Sequence, residues 1–276
     1  MNIVYFGSDV FLSCFEHIAE NHHILALYTY HNDEDYFTEF SIARRAKELG
    51  IPVHYEDVSP DVTRRYFAEG CRLYFVAEYD RLIRIPDDVP GFRGVNIHSS
   101  ALPEGRSYYP IEGAMERGLK RTGVTMHELK PQLDGGAIVD QRIFDITPDM
   151  DSVDVYLTCA AFAREMTEKA LSDFDAAWDA AKTQTERLPY WQRPADEKLT
   201  LAHEMRLADA ADAFRRYNSL TQVRLGDRLY YVSALAAGKT ALFAPEIQLA
   251  GDRWLYAVRD GHLRLTVHPK NEKGDH

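Results

Sequence analysis

Residues 95–110 read VNIHSSALPEGRSYYP and place two polar side chains at the end of a predicted strand. Val95 and Ile97 alternate with Asn96 and His98, so the pattern has the period of two that is typical of a strand, and the two polar side chains share one face. The Ser, Pro and Gly residues of 99–105 end the strand near His98. Because open α/β sheets bind ligands at the carboxyl ends of their strands, this segment predicts a functional site.

A second segment, residues 122–141, reads TGVTMHELKPQLDGGAIVDQ and carries Asp134 in a glycine-rich loop. An amide that donates a hydrogen bond, beside an imidazole that moves a proton, suits acyl transfer, and a carboxylate from a later loop could hold that imidazole. Asn and His at a strand end are also common caps and turn formers. The residues alone therefore leave a structural role open.

The N-terminal part alternates strand and helix patterns. NIVYF (2–6), HILALYTY (23–30) and CRLYFVAEY (71–79) are predicted strands, and helices are predicted over 10–21 and in EFSIARRAKELG (39–50). This alternation predicts a parallel sheet with right-handed crossovers. A long Ala-rich helix is predicted over 153–182. Its expected buried stripe consists of Val153, Leu157, Ala160, Ala161 and Met166.

The C-terminal part has a different pattern. Two prolines and mixed charges interrupt the helical pattern after residue 182, and short alternating runs follow, with turn signals at Gly226-Asp227, Gly251-Asp252 and Asp260-Gly261. We predict a catalytic domain over 1–185, a linker over 186–199 and a small antiparallel β domain over 200–276.

Composition narrows the class of protein. The 276 residues are 45% hydrophobic and 12% aromatic, which is ordinary for a globular protein. No apolar run approaches the length of a membrane span, and the N-terminus lacks a signal-peptide pattern. The three cysteines, Cys14, Cys71 and Cys159, match neither a disulfide framework nor a metal spacing. A cytoplasmic protein that does not associate with a membrane is expected.

Charge bears on possible partners. The formal net charge is −11, and 200–276, with 11 basic and 9 acidic residues, carries +2 while 1–199 carries −13. A protein that grips nucleic acid gains affinity by neutralising phosphates. Since neither part contains a dense basic stripe, the sequence disfavours a nucleic-acid partner, and it leaves a homodimer open.

Two motif hypotheses concern cofactors. Gly7-Ser8-Asp9 follows the first strand and could present backbone N–H groups to an anion, or could only cap a helix. No Gly-x-Gly-x-x-Gly follows that strand, so a dinucleotide is not indicated. His127 has no second ligand at useful spacing, so no metal is expected.

The long pattern Asn-x-His-x-Ser-x-Leu-Pro-x-x-Arg, then Thr-Gly-Val-Thr, then Leu-Asp-x-Gly, resembles the formyltransferases that use 10-formyltetrahydrofolate. The resemblance runs from Met1 to about residue 170 and is weaker in the tail. The phrases GVTMHEL and GGAIVDQRI are most similar to nucleotide-sugar N-formyltransferases of the UDP-4-amino-4-deoxy-L-arabinose type. The chain departs from the usual family pattern at Ala101, Ser107, Tyr108 and Tyr109, in the loop that shapes the acceptor pocket.

The resemblance implies a Rossmann-like parallel sheet, an α/β fold, followed by a small open barrel of oligonucleotide-binding (OB) type. It implies catalytic roles for Asn96, His98 and Asp134, with 10-formyltetrahydrofolate as cosubstrate and no metal. The donor is then expected near Arg81, Leu82, Ile83, Leu133 and Asp134. Candidate contacts to a nucleotide-sugar acceptor are Ser8, Arg106, Tyr108, Tyr109, Trp191 and Arg193.

The expected function is formylation of the amine of a nucleotide-linked amino sugar, a precursor of cell-surface glycans such as lipopolysaccharide and O-antigen. Two alternatives stay open, a methionyl-tRNA formyltransferase and a folate- or nucleotide-binding protein without turnover. In the tail, Asn218 is followed by Ser-Leu-Thr, whereas the tRNA enzymes typically carry an Asn-Pro-Trp-Pro-like turn there. A pure binder would have no need of Asn96, His98 and Asp134 together.

Overall fold

The computed structural model describes residues 1–31 and 40–270. The start of the predicted helix segment 39–50 and the end of the predicted C-terminal domain, 271–276, lie outside the described residues. The first sheet contains β1 (Asn2–Gly7), β2 (His23–Tyr28), β3 (Val53–His54), β4 (Leu73–Ala77), β5 (Gly94–His98), β6 (Arg121–Glu128) and β7 (Ile138–Asp145).

The strand order in this sheet is β3-β2-β1-β4-β5-β6-β7. β1 to β5 pair in parallel, and β6 and β7 extend the sheet in antiparallel fashion. The prediction of a parallel-rich sheet in an α/β fold is confirmed. The carboxyl ends of β1, β4 and β5 therefore lie side by side, and β5 delivers His98 to that edge.

Helices cover both faces of the sheet. They are α1 (Leu12–Asn21), α2 (Ser41–Glu48), α3 (Pro60–Ala68), α4 (Pro110–Glu116), α5 (Ser152–Ser172) and α6 (Phe174–Asp179). One buried cluster joins Ile3, Phe75 and Ile97 to Phe15 of α1 and Met166 of α5. A second cluster on the opposite face includes Tyr66 of α3. The core thus holds the sheet between two helical layers.

The predicted long helix is divided, and its predicted buried stripe was wrong in part. A capping box between Asp151 and Asp154 starts α5, and Asp173 ends it and caps α6. Val153 and Leu157 are 41% and 64% exposed. Met166 is buried as predicted, and the buried face also includes Val155, Cys159, Ala163 and Ala170. Small side chains on this face let the helix lie close to β6, and that packing sets which face is buried.

The second sheet contains six strands, in the order β11-β12-β13-β10-β9-β8. They are β8 (Thr200–Leu201), β9 (Gln222–Leu225), β10 (Arg228–Gly238), β11 (Glu246–Ala250), β12 (Arg253–Val258) and β13 (Gly261–Pro269), accompanied by α7 (Asp196–Leu199) and α8 (Leu207–Tyr217). Gly226-Asp227 and Gly251-Asp252 form the predicted two-residue turns. β8 pairs with β9 in parallel, and the other pairings are antiparallel.

The small second sheet expected in the C-terminal part is present. Among the described residues, no pairing joins the edge strands β8 and β11, so the sheet is open. β8, at one edge, has only two residues. Residues from α8 and from the sheet, among them Ala210, Val223, Val232 and Leu265, form a separate core. The proposed domain limits at 185 and 199 stay a prediction.

No helix in 1–31 or 40–270 has both the length and the apolar character needed to cross a membrane.

Candidate functional site

The register of β5 and β6 builds the floor of the site. Asn96 lies opposite His127, and His98 lies opposite Thr125. Because side chains alternate along a strand, Asn96 and His98 project on the same side, as predicted. His98 and His127 are both buried, and Asn96 is partly buried.

His98 is held in a defined tautomer. Its Nε2 lies 2.7 Å from the carbonyl oxygen of Gly105, and a carbonyl only accepts, so Nε2 carries the hydrogen. In the neutral ring, Nδ1 is then an unprotonated acceptor. Burial lowers the pKa of His98 below its ordinary value of 6.5, and His127 adds to this, whereas Asp134 and Gly105 oppose it. The geometry therefore favours a neutral base whose Nδ1 accepts a proton.

Asp134 approaches both histidines. Its Oδ1 lies 3.8 Å from Nδ1 of His98 and 3.5 Å from Nε2 of His127, and both distances exceed those of a good hydrogen bond. Its Oδ2 accepts a hydrogen bond from the Ser107 backbone N–H at 2.8 Å. Asp134 is thus placed beside His98 as a charge, while Ser107 holds the carboxylate and Gly105 holds the ring.

The surroundings of Asp134 nevertheless stabilise its ionised form. Burial alone would raise the pKa of this carboxyl, but His98, His127 and the Ser107 N–H together lower it below its usual range. Asp134 is therefore ionised over the whole physiological range. A proton that arrives on His98 meets a fixed negative charge 3.8 Å away. This arrangement stabilises the imidazolium form once it is made.

His127 was set aside in the sequence because it lacked metal partners, yet it contacts two of the three predicted catalytic residues. Its Nδ1 donates to the Glu128 carbonyl at 2.8 Å, which leaves Nε2 to accept from the Asn96 amide at 3.2 Å. The Asn96 amide keeps a second hydrogen for another acceptor. The cross-strand position of His127 opposite Asn96 could have been found only from the β5–β6 register.

Gln184 is a second residue that the sequence did not reveal. Its Nε2 donates to the carbonyl oxygens of Asp134 and Gly136, at 2.9 and 2.7 Å, and its Oε1 accepts from Arg106 at 2.7 Å. It therefore ties the loop that carries Asp134 to the loop that follows His98. The backbone of the neighbouring Lys182 also forms a bridge with Ile138.

Arg106, a predicted acceptor contact, anchors the loop after His98. It is only 3% exposed, and its guanidinium donates to Gln184 and to the carbonyl of Glu186. Its buried Nε has no hydrogen-bond partner among the described residues, and the acceptor contact stays a prediction.

Backbone strain concentrates around His98. Among the described residues, five that are not glycine have positive φ, namely Glu78, Ser107, Tyr109, Asp134 and Asn218. The first four lie at the end of β4 or in the loops that surround His98. Such conformations cost free energy and persist where the surrounding structure enforces them, often at functional sites. The strain thus marks the same region that the sequence selected.

The predicted donor contacts lie in two loops. Arg81 donates to the carbonyl of Tyr55 at 2.7 Å and pairs with Asp57 at 3.1 Å. Leu82 is 72% exposed, whereas Ile83 packs against the core on the α3 face. The carbonyl of Leu133 faces the Tyr190 hydroxyl at 3.4 Å.

The predicted acceptor contacts fall into two groups. Tyr108 is exposed, and Tyr109 interacts with Arg193, which also binds Asp196 at 2.7 Å. In contrast, Ser8 is buried, and the Trp191 ring packs against Gly113 with the Arg117 guanidinium 4.3 Å from its centroid. Packing therefore already occupies Trp191.

The turn after β1 has a capping role. The carboxylate of Asp9 accepts from the backbone N–H groups of Ser41 and Ile42, at 2.9 and 2.8 Å, and so caps α2. Ser8 makes no side-chain capping bond. An acid from this turn thus satisfies the start of α2, whereas no side chain caps the helical segment that follows the turn itself.

Within residues 1–31 and 40–270, no group of three or more His, Cys, Asp or Glu side chains could hold a metal ion.

Residues 40–171 match the formyl transferase family, a span that begins after β2 and not at Met1. A methionyl-tRNA formyltransferase of Bdellovibrio bacteriovorus is 36% identical over 83 residues, which are 30% of this chain and 26% of that protein.

Solved structures share the fold. HypX of Aquifex aeolicus in complex with tetrahydrofolic acid superposes with a TM-score of 0.71 and 16% identity over 98% of this chain, but over 44% of that one. An N-formyltransferase of Helicobacter canadensis in complex with folinic acid and dTDP-3-aminofucose gives 0.61 and 16% identity, over 98% of this chain and 99% of that one. The chain thus spans less than half of HypX and nearly all of the Helicobacter protein.

The family match includes β5, the loop after His98, and Asp134, and the fold is shared with formyltransferase structures. Residues 40–171 are therefore similar to the formyl transferase family, and the chain has a fold that formyltransferase structures share.

Proposed function

We propose that this protein transfers a formyl group from 10-formyltetrahydrofolate to the amino group of a nucleotide-linked amino sugar. The observation that carries the proposal is the convergence of Asn96, His98 and Asp134, with the charge of Asp134 held 3.8 Å from the free nitrogen of His98. Formyl transfer to an amine needs an oxyanion donor and a group that moves a proton, and these side chains supply both.

In the proposed reaction, Asn96 donates the amide hydrogen that His127 leaves free to the oxygen of the formyl group. Removal of such a donor typically costs about 3 to 4 kcal/mol of transition-state stabilisation. Nδ1 of His98 accepts a proton from the attacking amine and returns it to the nitrogen of the leaving folate. Asp134 stabilises the imidazolium that exists between the two transfers.

Two surface features support binding of the donor and the acceptor. Leu82 exposes an apolar side chain beside the carboxyl edge of the sheet, which a planar ring could cover. Tyr108, Tyr109 and Arg193 offer aromatic and cationic groups that suit a base and a diphosphate. The Helicobacter protein of the same fold was crystallised with a nucleotide amino sugar, which favours this acceptor class.

A methionyl-tRNA acceptor is the second candidate, because a tRNA formyltransferase is 36% identical over 83 residues. The charge of −13 in 1–199 disfavours it, since the phosphates of tRNA would approach an acidic surface. The experiment that separates the candidates uses purified protein, 10-formyltetrahydrofolate and a panel of acceptors. The panel contains UDP-4-amino-4-deoxy-L-arabinose, dTDP-3-aminofucose, glycinamide ribonucleotide and methionyl-tRNA, and mass spectrometry detects the formylated product. Formylation of an amino-sugar nucleotide supports the proposal, and formylation of the tRNA alone rejects it.

We propose the cytoplasm as the compartment, and glycan precursors of the cell surface as the destination of the product. The three cysteines are free and buried, which suits a reducing environment.

A further inference from the structure

We propose that Glu78 binds the acceptor amine as an ammonium ion and takes up its first proton, which makes the amine nucleophilic. The inference rests on the proposed function and assigns a residue that the pattern of Asn96, His98 and Asp134 does not include.

The position of Glu78 in the first sheet supports this role. β4 pairs with β5 in parallel, with Ala77 opposite Ile97, so Glu78 follows β4 at the level of His98. Ala77 also lies opposite Gly7, which places Glu78 between the ends of β1 and β5. The acid therefore occupies the carboxyl edge of the sheet, beside the base that moves the second proton.

The backbone conformation of Glu78 supports this role as well. Glu78 has φ 55°, and Asp134, the acid 3.8 Å from His98, has φ 49°. A glutamate in a left-handed conformation costs free energy that a glycine would avoid. The charges of these two acids also interact, so a strained backbone presents both carboxyl groups to one region.

The ionisable groups around Glu78 also favour the binding of a cation. The charge of Glu78 interacts with those of Asp134 and Asp80. It also raises the pKa of four surrounding groups, which are Glu112 of α4, Tyr156 and Cys159 of α5, and Tyr30 beyond β2. Glu112 is 4% exposed, and one of its carboxylate oxygens, Oε2, has no hydrogen-bond partner. Glu78, Asp134 and Glu112 thus form a cluster of carboxyl groups that an incoming cation would stabilise.

The acidity of Glu78 suits the role. Burial, with smaller effects of Asp134 and Asp80, raises the pKa of Glu78 to about 7. Simple primary amines at a sugar or peptide terminus have a pKa of about 8, so the amine arrives largely protonated at neutral pH. A carboxylate of raised pKa takes a proton from such an ammonium far more readily than an ordinary one does.

The steps balance. The ammonium gives one proton to Glu78 and becomes a neutral amine, whose lone pair forms the new nitrogen–carbon bond to the formyl carbon. His98 takes a second proton from the amine nitrogen. The bond between the formyl carbon and the folate nitrogen then breaks, and that nitrogen receives the proton from His98. Glu78 finally releases its proton to solvent.

The test compares wild type with Glu78→Gln, Glu78→Asp and a control, Glu104→Gln, which removes an exposed charge from the loop after His98. The acceptor is the amine of the panel that wild type formylates best, and its hydroxyl counterpart is titrated as a non-reacting ligand. We expect Glu78→Gln to lower kcat/KM about 100-fold and to remove the preference for the amine over the hydroxyl ligand, with an unchanged thermal unfolding midpoint. Glu78→Asp should recover part of the rate, and Glu104→Gln should match wild type.

The pH profile gives a second readout. Wild-type kcat/KM should fall on the acid side with a midpoint near the pKa of Glu78, about 7, and Glu78→Gln should lose this step. If Glu78→Gln retains wild-type rates, profile and ligand preference, the role of Glu78 is overturned while the proposed function stands. If wild type formylates no amine in the panel, the proposed function fails and the Glu78 role falls with it.

Discussion

Nε2 of His98 lies 2.7 Å from the carbonyl oxygen of Gly105, and this single contact decides which ring nitrogen can act as the base. The carbonyl can only accept, so Nδ1 is left to take a proton, beside the charge of Asp134. The site therefore needs the loop of 99–105 as much as it needs the three residues of the sequence motif.

The protonation of His98 can be measured directly. Burial lowers the pKa of this imidazole below 6.5, so the neutral base prevails at neutral pH and protonation begins only at lower pH. In an NMR titration of the free enzyme, with the His98 signal identified by its loss in His98→Gln, we expect a midpoint below 6.5. A midpoint at or above 6.5 would show that the charge of Asp134 outweighs burial.

His127 should act as a positioning residue. In His127→Ala, the Asn96 amide loses its 3.2 Å partner, so kcat should fall about tenfold while KM for the donor stays within about twofold. The pKa of His98 should stay below its ordinary value, because burial, the largest cause of the shift, remains when the smaller effect of His127 is lost. His127→Gln, which retains an acceptor, should recover part of the rate. Loss of the fold in circular dichroism, or an unchanged kcat, would argue against this role.

Gln184 should stabilise the loop of Asp134. Gln184→Ala removes two donors to the carbonyls of Asp134 and Gly136 and leaves Arg106 without its side-chain partner. We expect a loss of about 1 to 3 kcal/mol in the free energy of unfolding and a lower kcat. The matched control is Thr183→Ala, at the exposed neighbouring position, which should change neither quantity. Denaturant unfolding and initial rates measure both, and equal behaviour of the two variants would refute the assignment.

The sequence predicts the strand that carries Asn96 and His98 but not the residues that position the site. Asn96, His98 and Asp134 stand out because a strand pattern and a glycine-rich loop mark them along the chain. Gln184 and His127 act through contacts with residues 50 and 31 positions away, respectively. Local patterns carry no information on such contacts, since only the packed sheet brings these residues together.

The errors in the fold prediction have the same origin. The apolar residues of α5 fit the helical repeat equally well on the predicted face, which begins at Val153, and on the observed face, which begins at Val155. Only contact with the sheet selects which of the two faces is buried. Two of the three predicted turns, which depend on local chemistry, lie at the predicted residues. The third, predicted at Asp260-Gly261, lies at Arg259-Asp260, because Gly261 already pairs with Val258.

The close approach of Gly136 to β6 should tolerate no side chain. A Cβ at Gly136 would lie 1.9 Å from the carbonyl oxygen of Glu128, whereas one at Gly135 would meet the flexible side chain of Gln132 at 2.7 Å. Gly136→Ala should destabilise the protein by at least about 1 to 3 kcal/mol and displace Asp134, with a large loss of activity. Gly135→Ala should be milder in thermal unfolding and in rate, and the reverse order would contradict the loop geometry.

The most direct test of the account is the rate of formyl transfer from 10-formyltetrahydrofolate to the best amine of the panel, at saturating donor, in wild type and in Asn96→Ala, His98→Ala and Asp134→Ala. Each substitution should lower kcat by about 100- to 10,000-fold, while the thermal unfolding midpoint shows that the fold persists. A His98→Ala variant that turns over at a rate near that of wild type would contradict the account.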